Sequence, residues 1–329
     1  MVSSKDVAKR AGVSQTTVSR VLNNPEAVRQ KTIDKVNHAI QELGYRPNSI
    51  ARSLVSNQTK TIALISGPLS NPFFMEATTA IVNYANEKGY RIHVYFENQW
   101  NQEETYDGIF ETKVDGIILC SILYEDQIFE ELKSLNTPLV MFNRKHKEPC
   151  NFIEIDNEEA GYIATKHLID LGHRNIIWIG SHLNMSTFSG RFKGYERALN
   201  EAGIPVNENL VIVEDGSFEV AYQRLVFLLD TVTAVYASTD SIALSLLDRF
   251  ISDGYRVPED ISLIGTDNVR LASHASLQIS TVGNCEQLNL GLVAIKELFA
   301  LMEKSEENME VIQTTLPVKL YKRETTDFL

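Results

Sequence analysis

Hydrophobic positions in the first 45 residues recur at helical spacing, in three short blocks. Val7, Ala8 and Ala11 share one face of a helix that Ser3 or Ser4 can cap and Gly12 can end. After Val13, Ser14 opens a second helix from Gln15 to Leu22, with Val18, Val21 and Leu22 facing inward. Asn23-Asn24-Pro25 ends it, because proline cannot continue a helix and restrains the residue before it. A third helix is predicted from about Gln30 to Leu43, with Ile33, Val36, Ala39, Ile40 and Leu43 on its apolar stripe and Gly44 as its stop. Short helices hinged on Gly12-Val13-Ser14 form a helix-turn-helix that can bury one small core.

From Thr61 the pattern changes to short apolar runs separated by helical stretches. Thr61–Ile65, Arg91–Tyr95, Gly116–Leu119, Pro138–Phe142, Ile176–Ile179, Ala234–Ala237 and Ile261–Gly265 read as buried parallel strands. Met75–Lys88, Tyr162–Leu171, Phe192–Ala202 and Ile242–Asp253 read as helices between them. Such alternation predicts a doubly wound α/β body. Near the end, Val311–Leu320 reads as one strand. Between head and body, Asn48 can cap a short helix whose Ile50, Ala51, Leu54 and Val55 have no evident core to enter. That segment suits pairing with a twin and wedging Leu54 into a minor groove; a linker packed on either domain is the alternative.

Charge sharpens this division. The net charge of −12 alone argues against a nucleic-acid partner. Residues 1–60, however, carry ten Lys or Arg against four Asp or Glu, leaving 21 bases and 39 acids for the rest. A basic head on an acidic body is expected when only the head meets phosphate. The outer face of the second helix offers Gln15, Thr16, Ser19 and Arg20, side chains able to bond base edges or phosphates in a major groove. No stretch reaches the roughly 20 apolar residues of a membrane span, and Met1 to Asp6 turns polar at once, so neither membrane nor signal peptide is expected. Cys120, Cys150 and Cys285 form no paired motif, which fits reduced thiols in a cytoplasmic protein.

Enzyme signatures are missing. The chain contains no GxxxxGK[ST], GxSxG, HExxH or CxxC motif, and its seven histidines show no metal-ligand spacing. Neither cofactor nor metal is expected. Ligands of doubly wound folds sit outside the carboxyl ends of the strands. Polar residues following the strands are therefore the pocket candidates: the segment 67–74, Asn143-Arg144, Thr239-Asp240 and Thr266-Asp267-Asn268, with Arg191 at the start of a helix. A transport-type sugar-binding protein would share such a body, but not the basic head.

Three head segments together resemble the lactose-repressor (LacI/GalR) family: Lys5-Asp6-Val7-Ala8-Lys9-Arg10-Ala11-Gly12-Val13-Ser14, Thr17-Val18-Ser19-Arg20-Val21-Leu22-Asn23 and Leu43-Gly44-Tyr45-Arg46-Pro47-Asn48 with Ala51-Arg52-Ser53-Leu54. Ser70-Asn71-Pro72-Phe73-Phe74, Leu171-Gly172-His173-Arg174 and Val257-Pro258-Glu259-Asp260-Ile261-Ser262 extend the resemblance over nearly the whole chain. It implies an α/β protein with an N-terminal helix-turn-helix head and hinge helix, then a two-lobed, periplasmic-binding-protein-like doubly wound core. The expected divisions are 1–46 for the head and 47–59 for the hinge. The first lobe is expected at 60–158 with 286–312, and the second at 159–285 with 313–329.

The implied function is a repressor that binds a pseudo-palindromic operator as a homodimer under control of a small polar effector, sugar-like by preference. The resemblance suggests Gln15, Thr16 and Arg20 as base readers and Leu54 as the minor-groove wedge. Ser4, Thr17, Ser19, Asn23, Arg29, Tyr45, Asn48, Ala51 and Arg52 complete the expected DNA-contacting set. For the effector it implies Arg191 and Asp267 as a polar clamp, Phe73 and Phe218 as apolar walls, and Asn143, Thr187, Thr239 and Asn284 as further contacts. Asn143, where the family usually has Asp, and Thr266, where it has an aromatic residue, depart from the pattern around this cleft. The effector's sign, induction or co-repression, is left open, as is a protein co-regulator.

Overall fold

The computed structural model describes residues 2–45, 58–96, 102–214, 217–303 and 311–329, leaving out the side chains of Asn23 and residues 102–105. They divide into two compact units, residues 1–59 and 60–329.

In the first unit, α1 (Ser4–Ala11) starts with a capping box: the Ser3 hydroxyl accepts from the Asp6 N–H, and the Asp6 carboxylate accepts from the Ser3 N–H at 2.9 Å. Gly12 ends it in the left-handed region, φ 66°, where a side chain would be strained. Ser14 caps α2 (Gln15–Asn23) by accepting from the Thr17 N–H at 3.1 Å. α3 (Gln30–Leu43) ends at Gly44, also left-handed. Val7, Ala8, Val18, Val21, Val36 and Ala39 form the buried centre, with Tyr45 packed against it. The expected hinge positions Asn48, Ala51, Arg52 and Leu54 lie outside the described residues.

The second unit holds two sheets of six strands. The first lobe runs β1 (Thr61–Ser66), α4 (Pro72–Glu87), β2 (Arg91–Phe96), α5 (Gln102–Glu111), β3 (Gly116–Leu119), α6 (Ile128–Ser134), β4 (Leu139–Phe142) and β5 (Phe152–Ile155). The chain crosses at Asp156 into α7 (Asn157–Asp170), β6 (Ile176–Gly180), α8 (Ser186–Glu201), β7 (Val211–Val213), α9 (Phe218–Val226), β8 (Ala234–Ala237), α10 (Asp240–Ser252), β9 (Ser262–Thr266) and β10 (Ser280–Asn284). It then returns to α11 (Leu290–Glu303), followed by β11 (Gln313–Leu316) and β12 (Val318–Tyr321). The sheet orders are β11-β5-β4-β3-β1-β2 and β12-β10-β9-β8-β6-β7, parallel throughout except β12 against β10.

Three expectations are corrected here. The single strand Val311–Leu320 is two strands in different sheets, and the last crossing falls at Pro317 rather than before residue 313. The register pairs Gln313 with Phe152 in the first sheet and Val318 with Asn284 in the second. Pro317 has no N–H to give either ladder, which makes it a natural place for the chain to change sheets. Helix starts are also earlier than the apolar periodicity places them: α4 begins at Pro72, α7 at Asn157, α8 at Ser186 and α10 at Asp240. Asn71, Asp156 and Thr239 cap three of these starts with side-chain oxygens. Among the described residues, no helix is long and apolar enough to cross a membrane.

α7 and α8 cross at near-contact distance. A Cβ at Gly161 would lie 2.0 Å from the Arg191 carbonyl oxygen, and one at Gly194 would lie 2.0 Å from that of Glu158. Glycine is required at both positions for this approach.

Candidate functional site

All eight candidate effector residues lie at or beyond carboxyl ends of strands, as the winding of the sheets dictates. Phe73 occupies the first turn of α4 after β1, and Asn143 follows β4 directly. In the second lobe, Thr187 and Arg191 fall in the first two turns of α8, Phe218 opens α9, and Thr239 caps α10. Asp267 follows β9 and Asn284 closes β10.

Arg191 and Asp267 form a buried ion pair, Nη2 to Oδ1 at 2.7 Å, with side chains only 1% and 6% exposed. Arg191 Nη1 donates to the Ser238 carbonyl at 2.5 Å and its Nε to Asn157 Oδ1 at 3.0 Å. The guanidinium is thereby fixed on three sides. Asp240 lies in the same buried network, accepting from Thr281 Oγ1 at 2.5 Å and from the Val269 N–H at 2.9 Å. Burial first, then the charge of Asp267, pushes the Asp240 carboxyl up to about 7. Burial also raises Asp267, against the opposing pull of Arg191. Asp267 has a guanidinium in contact, whereas the hydrogen bonds to the Asp240 carboxylate come from a hydroxyl and a backbone N–H.

Phe73 packs against the apolar cluster that draws on both lobes and against the second lobe's own core, and meets Phe74 edge-on, ring centres 5.3 Å apart. With Asp267 and Asn284 it borders a cavity of about 410 Å³, which also takes in Glu76, Gln287, Leu290, Tyr321 and Arg323. The other five candidates do not border it. The Thr187 hydroxyl donates across the lobes to the Asn143 carbonyl, Thr239 is committed to its cap, and Phe218 stacks on Tyr222 at 6.1 Å. Asn284 ties down its own loop, with bonds of 2.8 and 2.9 Å to Leu288. The hydroxyls of Ser121, just beyond β3, and Ser238, just beyond β8, are buried without a hydrogen-bond partner among the described residues.

Sequence reasoning names Asp240 among the pocket candidates beside Thr239 but misses Asn157. Both follow strands within two or three residues, so the rule that finds Asn143 applies to each. Asn157 escapes because Glu154 interrupts the apolar run of β5 and hides that strand.

In the head, Gln15, Thr16, Ser19 and Arg20 are exposed on α2 while Val18 and Val21 turn inward. Gln15 donates to Ser4 Oγ at 3.0 Å, joining two expected DNA contacts on one surface. Thr17 is half-buried, its hydroxyl 2.8 Å from that of Ser14 at the cap. Arg29 is exposed at the start of α3. Among the described residues, no group of His, Cys, Asp and Glu could hold a metal ion.

Comparison with known proteins gives this geometry its context. Residues 4–48 match the model of bacterial regulatory proteins, lacI family, and residues 165–326 match a periplasmic binding protein-like domain. The chain is 35% identical over 323 residues to the HTH-type transcriptional repressor PurR of Photobacterium profundum, covering 95% of this chain and 96% of the relative. It is 33% identical over 328 residues to catabolite control protein A of Priestia megaterium, covering 98% of each. Among solved structures, the lac repressor dimer bound to operator and the anti-inducer ONPF superimposes with a TM-score of 0.82 at 27% identity, covering 99% of both chains. A transcriptional regulator CelR–cellobiose complex gives 0.71 at 29% identity, covering 99% of this chain and 100% of that one. The chain belongs to the lacI family of bacterial regulatory proteins and is a DNA-binding transcription regulator, not an enzyme.

Proposed function

We propose that this regulator is a cytoplasmic homodimeric repressor whose hold on a pseudo-palindromic operator is set by a sugar-like molecule seated between the lobes. The observation that carries the reading is the Arg191–Asp267 pair. Asp267 borders the cavity beside Phe73, and Arg191, which does not border it, holds Asp267 from behind in a buried ion pair. An aromatic face beside fixed ionic hydrogen-bonding groups suits a small hydroxylated ring. The unpartnered hydroxyls of Ser121 and Ser238 add polar capacity at the same strand ends. The lac repressor–ONPF and CelR–cellobiose structures support a small-molecule effector in this fold.

DNA contact is assigned to the exposed face of α2 with Ser4, Arg29 and the hinge residues Asn48, Ala51, Arg52 and Leu54. Dimerisation is assigned to the second lobe, where Val220 and Phe227 at α9 and Ile251 on the neighbouring α10 stand exposed, Phe227 by 87%. Apolar residues exposed on two adjoining helices favour an association surface there if they form one patch.

Thermal melting of the full chain against sugars, sugar phosphates, sugar acids and nucleobases tests the effector assignment, since a ligand of the native state raises Tm with its concentration. We expect a hexose, pentose or disaccharide to raise Tm for the wild type and not for Asp267→Asn. A nucleobase hit, or a sugar shift that survives Asp267→Asn, overturns the assignment.

A further inference from the structure

A row of side chains runs from the first lobe, across the hinge, to the guanidinium of Arg191. Lys145, in the loop after β4, donates to Glu154 Oε1 at 2.5 Å. Glu154 Oε2 accepts from Asn157 Nδ2 at 3.2 Å, and Asn157 Oδ1 accepts from Arg191 Nε at 3.0 Å. Glu154 belongs to the first sheet and Asn157 to the second lobe, and only Ile155 and the crossing residue Asp156 separate them. The two halves of the row differ in stiffness. A Cβ at Gly190 would lie 2.8 Å from Cβ of Asn157, and Gly161 lets α7 ride on the Arg191 backbone, so Asn157 and Arg191 move as one body. The Glu154–Asn157 bond spans the hinge and must lengthen or turn when the lobes rotate.

The Glu154 carboxylate is buried while the Lys145 side chain is 38% exposed. A pair half open to solvent adds little net stability, so stability alone does not account for burying the carboxylate. Lys145 is also held from the other lobe, its backbone N–H donating to Ser186 Oγ at 3.0 Å in the first turn of α8. Lys145, Glu154, Asn157 and Gly190 together border a cavity of about 740 Å³, and none of them borders the smaller cavity beside Phe73.

We propose that Glu154 and Asn157 are positioning residues that make the orientation of Arg191 depend on the angle between the lobes. Hinge closure and the grip of Arg191 on an effector are then one coupled event rather than two. The proposal rests on the assignment of Arg191 and Asp267 to the effector cleft, but its test needs no effector.

Exchanging the charge between the two positions supplies that test on the full-length protein. Glu154→Gln alone sets an amide N–H₂ against either Lys145 or Asn157, and Asn157→Asp alone sets two carboxylates against each other. The double variant re-forms the row: the amide N–H₂ introduced at position 154 donates to the carboxylate introduced at position 157, and its carbonyl accepts from Lys145. Two quantities are read without ligand: solvent exchange of the Arg191 Nε–H in 15N-arginine spectra, assigned by its loss in Arg191→Lys, and amide exchange at the crossings 155–157, 285–289 and 316–318. Exchange at the crossings is expected to quicken about tenfold in each single variant, the effect of losing one charge-assisted bond, and to return in the double. Exchange of the Arg191 Nε–H is expected to quicken likewise in Glu154→Gln and to return in the double, whereas in Asn157→Asp a carboxylate still accepts from Nε and holds it. Asn157→Ala breaks both bonds without adding charge and gives the same readout if a single variant does not fold. Unchanged Arg191 exchange in Glu154→Gln alongside a lowered Tm, faster exchange at Arg191 without the crossings, or no recovery in the double variant overturns the proposal. The melting panel decides the effector assignment separately.

Discussion

The head and the effector core place their functional groups in opposite ways. On α2 the groups proposed to contact DNA are exposed side chains of one element, and the helix stands on six buried apolar residues. In the core most of the groups proposed to meet an effector are buried: Arg191 is 1% exposed and Thr187 3%, and their partners come from other elements. A surface that must meet a large, hydrated polyanion can be carried by one helix. A pocket that must grip a small solute needs preset charges in low dielectric, and those need partners of their own.

The largest effect that separates the two regions is expected from Arg191→Ala. It leaves Asp267 buried without its cation and beside Asp240, which should cost about 3–5 kcal/mol of core stability. Urea unfolding followed by Trp178 fluorescence measures this, since Trp178 is buried in the core unit. Arg191→Met with Asp267→Asn removes both charges and should recover most of the loss. If Arg191→Ala costs under about 1 kcal/mol, in the range of a surface pair, the buried pair is not what organises this cleft.

A smaller effect is expected in the head from Arg20→Ala. Its side chain is exposed, so core and head stability should be unchanged. Affinity for a duplex selected from a random pool should fall by about 1–3 kcal/mol if Arg20 reads a base, with specificity relaxed at one position. A loss uniform across sequences, with a shallower salt dependence, would assign it to phosphate instead. Either outcome sharpens the contrast with Arg191, whose removal is felt first in folding.

The same contrast explains what can be read from the sequence. Apolar periodicity locates α1 to α3 and most strands of the core, because each buries a regular face. It misses the first turns of α4, α7, α8 and α10, and these turns hold Phe73, Asn157, Thr187 and Asp240. Asn157, Thr187 and Asp240 are polar residues of the cleft's buried network, so they break the apolar pattern that would announce their helices, and Pro72 masks the start of α4 before Phe73. The early helix starts and the cleft are therefore one fact. The pairing of Arg191 with Asp267 is legible only through family resemblance, since 76 residues separate them and no local pattern joins them. The crossing at Pro317 is not legible because β11 and β12 form one run of strand-like residues whose sheet membership is decided by pairing partners far back in the chain.

The smallest expected effect lies at the Ser3–Asp6 capping box. Ser3→Ala removes one acceptor for the free N–H groups of α1 and leaves every core contact in place. A lost N-cap costs roughly 1 kcal/mol. A head with so few buried residues has little stability in reserve, whereas the core unit should not register the change. Amide exchange should therefore quicken in residues 4–45 and stay constant in residues 60–329. Val7 and Ala8 pack with residues of α2 and α3, so fraying of α1 should spread to the DNA-reading helix. Operator affinity should then fall modestly with no residue on the reading face changed. If exchange quickens in α1 alone, the head is not one cooperative unit and the exposed face of α2 is held by its own contacts.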